Sequence, residues 1–169
     1  MIWLFIGIAL AVVLFGFVVI LGSPYVPSQR KDIKQALTEL YPLSRGDLLL
    51  DIGSGDGVVL RAAAKIGARA VGYEINPVLV LISRILSRNN KKITTRLADF
   101  WMAKFPDETT VIYIFSVTRD MKKIIEKIQI ETNRLHRPLN VISYGSGFGE
   151  KKTIKDIGAC HLYIFYPST

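Results

Sequence analysis

Residues 51–74 hold the side chains in this 169-residue chain that are best suited to bind a ligand. An apolar run at residues 48–50 leads into the glycine-rich segment DIGSGDG at residues 51–57, and the next apolar run ends at Glu74. This order is typical of a nucleotide-type ligand held across the carboxyl ends of two parallel strands. The glycines let the backbone turn tightly and approach the ligand, and Glu74 is placed to accept hydrogen bonds from both hydroxyls of a ribose.

The glycine spacing and the acidic residues distinguish between two nucleotide ligands. A dinucleotide site uses Gly-x-Gly-x-x-Gly, so that a pyrophosphate can lie on a helix N-terminus. Here the glycines occupy every second position, at Gly53, Gly55 and Gly57, and Asp51 precedes them. Carboxylates repel a pyrophosphate but attract the sulfonium and ammonium groups of S-adenosylmethionine. The pattern therefore favours S-adenosylmethionine over a dinucleotide or a glycine-rich turn without a ligand.

Composition excludes several other kinds of site. Cys160 is the only cysteine, which excludes an internal disulfide, and neither it nor His136 or His161 has companions at metal-ligand spacing, so we expect no metal. The net charge of +8 admits nucleic acid, anionic lipid or an acidic partner. The basic residues are scattered without an aromatic-interleaved stripe, so no nucleic acid is expected, and a cationic face against a lipid bilayer explains the charge more simply.

The N-terminal segment is long and apolar enough to cross a membrane. Residues 2–21 are apolar or glycine throughout and would span about 30 Å as a helix. A cleaved signal peptide is the alternative, but no basic residue precedes the run and no Ala-x-Ala site follows it. We predict a transmembrane anchor at residues 1–22, a linker at 23–28 and a catalytic domain at 29–169. Because Arg30, Lys31 and Lys34 follow the anchor, the domain is expected on the cytoplasmic side of a prokaryotic inner membrane, or in a mitochondrion if the source is eukaryotic.

Strand-like and helix-like patterns alternate along the rest of the chain. Strand patterns cover residues 48–52, 70–73, 93–97, 111–115, 139–143 and 160–166, and helical patterns cover residues 28–41, 58–66, 76–88 and 121–135. This alternation predicts an α/β domain with a Rossmann-like, doubly wound, mostly parallel sheet. Residues 145–158 have no helical pattern, and a strand reached without a crossover helix must pair antiparallel. We therefore predict a C-terminal antiparallel hairpin.

These features together resemble a known family. The glycine motif, the segment GYEINP at residues 72–77 and the hairpin resemble the class I, seven-strand S-adenosylmethionine-dependent methyltransferases. With YVPS at residues 25–28 and the apolar N-terminus, the chain looks like the small membrane-anchored lysine methyltransferases that modify the ATP synthase c-ring protein and the adenine nucleotide carrier. The resemblance implies a protein-lysine N-methyltransferase with a membrane-protein substrate.

The resemblance also implies roles for individual residues. The residues implied at the cofactor are Asp51, Gly53, Ser54, Gly55 and Asp56 along the methionine part, Glu74 on the ribose, Ile75 and Phe100 along the adenine, and Asp99 on its amino group. Trp101 is an alternative to Phe100 beside the ring. Asp56 also suits a solvated turn, Asp99 a helix cap and Trp101 the core, so each of these three has a purely structural alternative.

The fourth strand gives less information about the methyl acceptor. Many methyltransferases of amines carry Asn/Asp-Pro-Pro-Tyr there, whereas this chain reads FSVT at residues 115–118, which argues against a nucleobase acceptor. Tyr25, Ser28 and Ser116 are the residues we expect to line the acceptor channel, although Tyr25 also suits a membrane-interface aromatic. A small-molecule or lipid methyltransferase and a membrane-tethered module that binds S-adenosylmethionine without transfer remain alternatives.

Overall fold

A seven-stranded sheet forms the centre of the protein. The computed structural model describes residues 2–3, 5–7, 29–116, 120–149 and 151–168. The strands are β1 (Leu48–Ile52), β2 (Arg69–Glu74), β3 (Ile93–Leu97), β4 (Val111–Ser116), β5 (Leu139–Gly145), β6 (Lys155–Ile157) and β7 (Cys160–Phe165). They lie in the order β3-β2-β1-β4-β5-β7-β6. The first five strands are parallel to one another, and β7 pairs antiparallel with both β5 and β6.

The sequence places β1 in the middle of the sheet because it is apolar on both faces. All five of its residues are buried, as expected for a parallel strand covered on two sides. The chain leaves β1 toward β2 on one side, and β4 later pairs with the other side of β1. Ligands of open α/β sheets bind at the carboxyl edge at such a reversal of strand order.

In the part of the chain from residue 29 onward that the structure describes, four helices pack on the sheet, and local signals set their ends. They are α1 (Arg30–Gln35), which continues as a π-helical turn at Ala36–Leu40, α2 (Val58–Ile66), α3 (Pro77–Ser87) and α4 (Met121–Leu135). The side chain of Asn76 accepts a hydrogen bond from the N–H of Val78 and so caps α3, which begins with a proline. Gly67, with φ of 111°, ends α2 in a left-handed conformation.

The two faces of the sheet are covered differently. Helices α1 and α2 bury one core, and α4 buries the other. On the α4 side the loop after β5 contributes Phe148, which stacks on Tyr163 with ring centroids 4.6 Å apart. The N–H of Phe148 donates to the hydroxyl of Tyr163 at 2.8 Å. A loop aromatic thus fills the space that a crossover helix would otherwise cover.

The predicted fold class is confirmed, with one strand added. The α/β sheet, its parallel order and the antiparallel C-terminal hairpin are as expected, but β6 was missed because KDI at residues 155–157 is short and polar. Among the described residues, no helix is both long and apolar enough to cross a bilayer. The predicted anchor and linker lie almost wholly outside the described residues, so this part of the domain division stays a prediction.

Candidate active site

The loop between β1 and α2 forms the floor of the site. The N–H groups of Gly53 and Ser54 both donate to the carbonyl of Tyr73, at 2.9 and 3.1 Å, which holds the loop against β2. Gly53 has φ of 74°, and a Cβ at this position would meet no atom within 4 Å. The backbone here therefore borders open space, and glycine is required for its conformation rather than for lack of room in the protein.

Glu74 at the end of β2 is tied to both sides of the site. One carboxylate oxygen, Oε2, accepts from the N–H of Gly55 at 2.8 Å, and the other, Oε1, accepts from the N–H of Asn76 at 2.8 Å. The residue is only 8% exposed. Each carboxylate oxygen can accept a second hydrogen bond, so Glu74 keeps the capacity to bind two hydroxyl groups. This geometry fits the predicted contact with a ribose.

Asp51 supplies the strongest electrostatic feature of the site. It lies in β1, is 3% exposed, and pairs in register with Gly72 of β2 and Tyr113 of β4. Burial, followed by the negative charges of Glu74 and Asp56, raises the pKa of Asp51 well above its usual range. No cationic side chain of the described residues pairs with it. A positively charged ligand would stabilise this carboxylate, whereas a pyrophosphate would add to the repulsion.

The residues present therefore fit S-adenosylmethionine. The buried carboxylate of Asp51 suits its positive charges, and the carboxylate of Glu74 suits its ribose. The Oγ of Ser54 is also buried and has no hydrogen-bond partner among the described residues. The buried acids argue against a dinucleotide on the same physical grounds that the sequence indicated, because they would repel its pyrophosphate.

Asp56 is held by the protein itself. Its Oδ1 accepts from the N–H of Val58 at 3.2 Å, and its Oδ2 forms an ion pair with Arg61 at 2.9 Å. The carboxylate thus closes the turn that precedes α2, and Arg61 compensates its charge. This arrangement favours the turn role over the predicted contact with the cofactor, which no observation tests directly.

The residues expected at the adenine lie beside Glu74. The N–H of Ala98 donates to the carbonyl of Glu74 at 2.9 Å and brings the segment after β3 to the site. Ile75 follows the last residue of β2 and is 53% exposed. Asp99 accepts from the N–H of Trp101 at 3.0 Å and caps a turn, and Phe100 packs partly against the α4 core. The predicted adenine contacts of these residues remain predictions.

The residues expected at the methyl acceptor are mostly outside the described chain. Tyr25 and Ser28 are not described, and Ser116 is described only by its backbone, which pairs with Gly145 at the carboxyl end of β4. No cluster of three or more His, Cys, Asp or Glu side chains in the described part of the chain could hold a metal ion.

The structure brings together three residues near the carboxyl ends of β4 and β5 that the sequence did not indicate. Phe115 and Tyr144 are partners in register at the ends of β4 and β5, and their ring centroids lie 5.9 Å apart. The Tyr144 hydroxyl donates to Asp32 of α1 at 3.0 Å. Burial, and then the hydrogen bond with Asp32, raise the pKa of Tyr144. Asp32 and Tyr144 are 112 positions apart in the chain, so no local pattern could have paired them.

The fold and the site together define a class I S-adenosylmethionine-dependent methyltransferase domain. The strand order, the glycine loop and the carboxylates at the carboxyl edge all agree with this class. The chain belongs to the ANTKMT methyltransferase domain family, whose model matches residues 51–150.

Individual relatives agree with this family. The ATP synthase c-subunit lysine N-methyltransferase of Xenopus laevis is 41% identical over 111 residues, which cover 64% of this chain and 48% of the relative. The protein-lysine N-methyltransferase of Saccharolobus islandicus is 30% identical over 138 residues, which cover 78% of this chain and 84% of the relative. The chain thus spans about half the length of the Xenopus relative but most of the Saccharolobus one.

A solved structure agrees with the fold over nearly the whole domain. It is the RNA methyltransferase from Salinibacter ruber in complex with S-adenosyl-L-homocysteine. The TM-score is 0.74 at 26% identity, and the match covers 85% of this chain and 95% of that one. A demethylated cofactor is thus bound by a protein with this architecture.

Proposed function

We propose that this protein transfers a methyl group from S-adenosylmethionine to the ε-amino group of a lysine in a membrane protein. The single observation that carries the methyl-transfer part is the buried carboxylate of Asp51 beside Glu74, at the reversal of strand order. The family supports lysine as the acceptor, and so do the names of relatives that act on lysines of the ATP synthase c-subunit or of adenine nucleotide translocase.

The chain's own residues would orient the cofactor. S-adenosylmethionine supplies, when bound, a methyl group activated by a positive sulfonium. The carboxylate of Asp51 would compensate positive charge on the methionine part, with the backbone of Gly53 close beside it. Glu74 would accept the ribose hydroxyls while it keeps its hydrogen bonds to Gly55 and Asn76. Most of the rate enhancement would then come from orientation in a site that excludes water.

The acceptor side offers chemistry that suits an ammonium group. The aromatic pair of Phe115 and Tyr144 presents π-faces to a cation, and Asp32 presents a carboxylate next to them. A lysine must lose its proton to solvent before it attacks the methyl group, and desolvation near a sulfonium lowers the pKa of its ammonium. No dedicated base is required. Tyr25, Ser28 and Ser116 remain proposed channel residues.

A location at the membrane is part of the proposal. The apolar residues 2–21 support an anchor, and the basic residues Arg30, Lys31 and Lys34 directly after it support a domain on the cytoplasmic side of a prokaryotic membrane, or its mitochondrial counterpart. An enzyme held this way would reach lysines near the bilayer surface, which agrees with a membrane-protein substrate.

An isotope-labelling experiment tests the proposal by identifying the class of molecule that receives the methyl group. The purified full-length protein is incubated with S-adenosylmethionine that carries a deuterated methyl group, together with membranes and RNA from source cells that lack the gene. Peptides, lipids and nucleosides are then analysed by mass spectrometry. The Gly53→Ala variant, which places a methyl group in the open space of the site, is the control.

Each result decides between stated alternatives. A deuterated methyl group on a lysine, absent with the control variant, supports the proposal. The label on a lipid or a small molecule, or on RNA as the Salinibacter ruber neighbour's name would suggest, contradicts it. Cofactor binding without transfer to any fraction identifies a binding module and also contradicts it.

A further inference from the structure

Helix α3 presents its larger apolar side chains to solvent and smaller side chains to the sheet. Its buried residues are Val80, Ser83 and Ser87. Its exposed apolar residues, whose exposed fractions run from 39% to 59%, are Val78, Leu81, Ile82, Ile85 and Leu86. With about 3.6 residues per turn, these five lie on one face of the helix, opposite the three buried residues. We call this exposed set the outer face of α3.

Close packing on the inner face explains why small residues occupy it. The hydroxyl groups of Ser83 and Thr95 are 2.7 Å apart and are hydrogen-bonded. A side chain at Gly57 would collide with Ser83, so the helix lies tightly against the start of α2 as well. The inner face therefore needs small residues, but nothing in the described fold needs large apolar residues outside. A surface helix ordinarily carries polar residues there, and a large exposed apolar patch marks a binding surface.

Positive charge lies along α3 and beyond its C-terminal end. Residues 75–95 contain four basic residues and no acidic one. Arg88, Lys91 and Lys92 follow the C-terminal end of α3 and are exposed. Cations next to apolar side chains are the combination that suits the phosphate groups and acyl chains of an anionic bilayer.

Helix α1 lies on the same face of the sheet as α3. Ile93 packs against the core beneath α1 and α2, and Thr95, two positions further along β3, has the same orientation and bonds to α3. Arg30, Lys31 and Lys34 of α1 are exposed as well. The layer of helices α1–α3 thus combines one apolar stripe with two groups of cations.

We propose that the outer face of α3 lies against the surface of an anionic lipid bilayer. The apolar side chains would enter the boundary between headgroups and acyl chains, while the cations would meet the lipid phosphates. A second copy of the chain would cover the same apolar residues but would bring two cationic surfaces together, which opposes it. The inference rests on neither methyl transfer nor the N-terminal anchor. It gives the catalytic domain a fixed orientation on the membrane.

A fluorescence experiment on the full-length protein tests this surface. An environment-sensitive dye is attached at Leu81→Cys, and at Ile130→Cys as the control, since Ile130 is 62% exposed on α4 at the other face of the sheet. Cys160 is buried, and its thiol pKa is raised to about 11, so the native cysteine stays unlabelled. The proteins are reconstituted in vesicles of phosphatidylcholine with phosphatidylglycerol, and quenching by nitroxide-labelled lipid is measured.

The expected result is emission at shorter wavelength and several-fold stronger quenching by lipid for the dye at position 81 than at position 130. Quenching at position 81 should weaken in vesicles of phosphatidylcholine alone. Equal quenching at the two positions would overturn the proposal, and so would quenching that is indifferent to anionic lipid.

Two further outcomes would identify a different occupant of the surface. A wavelength shift at position 81 that grows with protein concentration, without quenching by lipid, would identify a second copy and overturn the proposal. A shift that needs an added membrane protein would identify a protein partner and would also overturn it. Calorimetric binding of S-adenosylmethionine by both labelled proteins verifies that they are folded.

Discussion

The carboxylate of Glu74 accepts a hydrogen bond from the N–H of Gly55 at 2.8 Å, so the acid at the end of β2 holds the glycine loop that follows β1. The same carboxylate accepts from Asn76 at the start of α3. One side chain therefore fixes the relative positions of the loop and the third helix before any ligand binds. A site prepared in this way loses little further freedom on binding, which favours tight and specific association.

A side chain at Gly53 should block the cofactor without destroying the fold. Gly53→Ala places a methyl group in open space at a position with φ of 74°. Gly158→Ala is the matched control, because Gly158 also has positive φ, of 57°, and open surroundings, but lies in the turn between β6 and β7. Each substitution should cost about 1–2 kcal/mol of unfolding free energy from the left-handed conformation. Isothermal titration calorimetry should show a loss of about tenfold or more in S-adenosylmethionine affinity for Gly53→Ala alone. Equal affinities for the two variants would place the cofactor elsewhere.

Replacement of Asp51 should stabilise the ligand-free protein and weaken cofactor binding. Because burial and the nearby charges of Glu74 and Asp56 raise the pKa of Asp51 in the folded state, the native protein loses stability as the pH rises from the ordinary aspartate pKa to the raised one. Asp51→Asn removes this loss of unfolding free energy, which amounts to about 1.4 kcal/mol for each unit by which the pKa of Asp51 is raised. Urea unfolding at neutral pH should therefore give a higher free energy for the variant. A lower value would show that the carboxylate is compensated in the free protein.

Protonation of Asp51 should also make cofactor binding depend on pH. As the pH falls through the raised pKa of Asp51, a growing fraction of this carboxylate becomes neutral and its attraction for a cationic ligand is lost. The affinity of the wild-type protein for S-adenosylmethionine should fall over this range, whereas that of Asp51→Asn should be low throughout and change little. Parallel pH profiles for the two proteins would exclude Asp51 as the responsible group.

The two other carboxylates of the site should differ in their importance. Asp56 is paired with Arg61 and closes the turn before α2, whereas Glu74 accepts a hydrogen bond from the glycine loop and is the proposed partner of the ribose. Asp56→Asn should lower the unfolding free energy by about 1 kcal/mol and leave cofactor affinity within a few-fold of wild type. Glu74→Gln keeps the shape of the side chain and one amide oxygen, and should weaken cofactor binding by about tenfold. The reverse order of the two affinities would restore the cofactor role that the sequence suggested for Asp56.

Substitutions of Tyr144 and Asp32 should change the binding of the lysine substrate without changing the binding of S-adenosylmethionine. Tyr144→Phe removes the hydrogen bond to Asp32 but keeps the ring, and Asp32→Asn removes the negative charge. Steady-state kinetics should show a KM for the lysine substrate that is raised by about tenfold in Asp32→Asn and by less in Tyr144→Phe, with unchanged affinity for S-adenosylmethionine. Tyr166→Phe, at an exposed tyrosine beyond the last strand, is the control. Unchanged kinetics in both test variants would remove these residues from the acceptor site.

Local patterns were sufficient to predict most of the helices and strands, and to indicate that the glycine loop and Glu74 lie at one end of the sheet. The bounds of β1, α2 and β3 agree with the sequence prediction. Apolar runs with glycines beside them define β1 and α2, whereas β3 has no flanking glycine and was recognised from its β-branched residues. Glu74 and the glycine loop were recognised because each belongs to a short continuous motif, at residues 72–77 and 51–57. Asp56 was harder to interpret, since its partner Arg61 becomes visible only when α2 is built.

The contact between Tyr144 and Asp32, at the proposed acceptor side, could not be predicted because the two residues are distant in the chain. Asp32 belongs to α1 and Tyr144 to β5, and only the order of strands in the sheet brings them together. The strand β6 was missed for a related reason, because its polar sequence is held by pairing with β7 rather than by burial. The outer face of α3 was also hidden, since an apolar helix ordinarily suggests a buried one.

The most direct test of the account is the mass of lysine-containing peptides from membrane proteins of source cells that lack the gene. The cells are complemented with the wild-type chain, with Gly53→Ala or with Gly158→Ala, and all membrane peptides are compared. We expect a methyl-sized increase in mass on a lysine that returns with the wild type and with Gly158→Ala but not with Gly53→Ala. An identical set of lysine masses in all strains, or full restoration by Gly53→Ala, would contradict it.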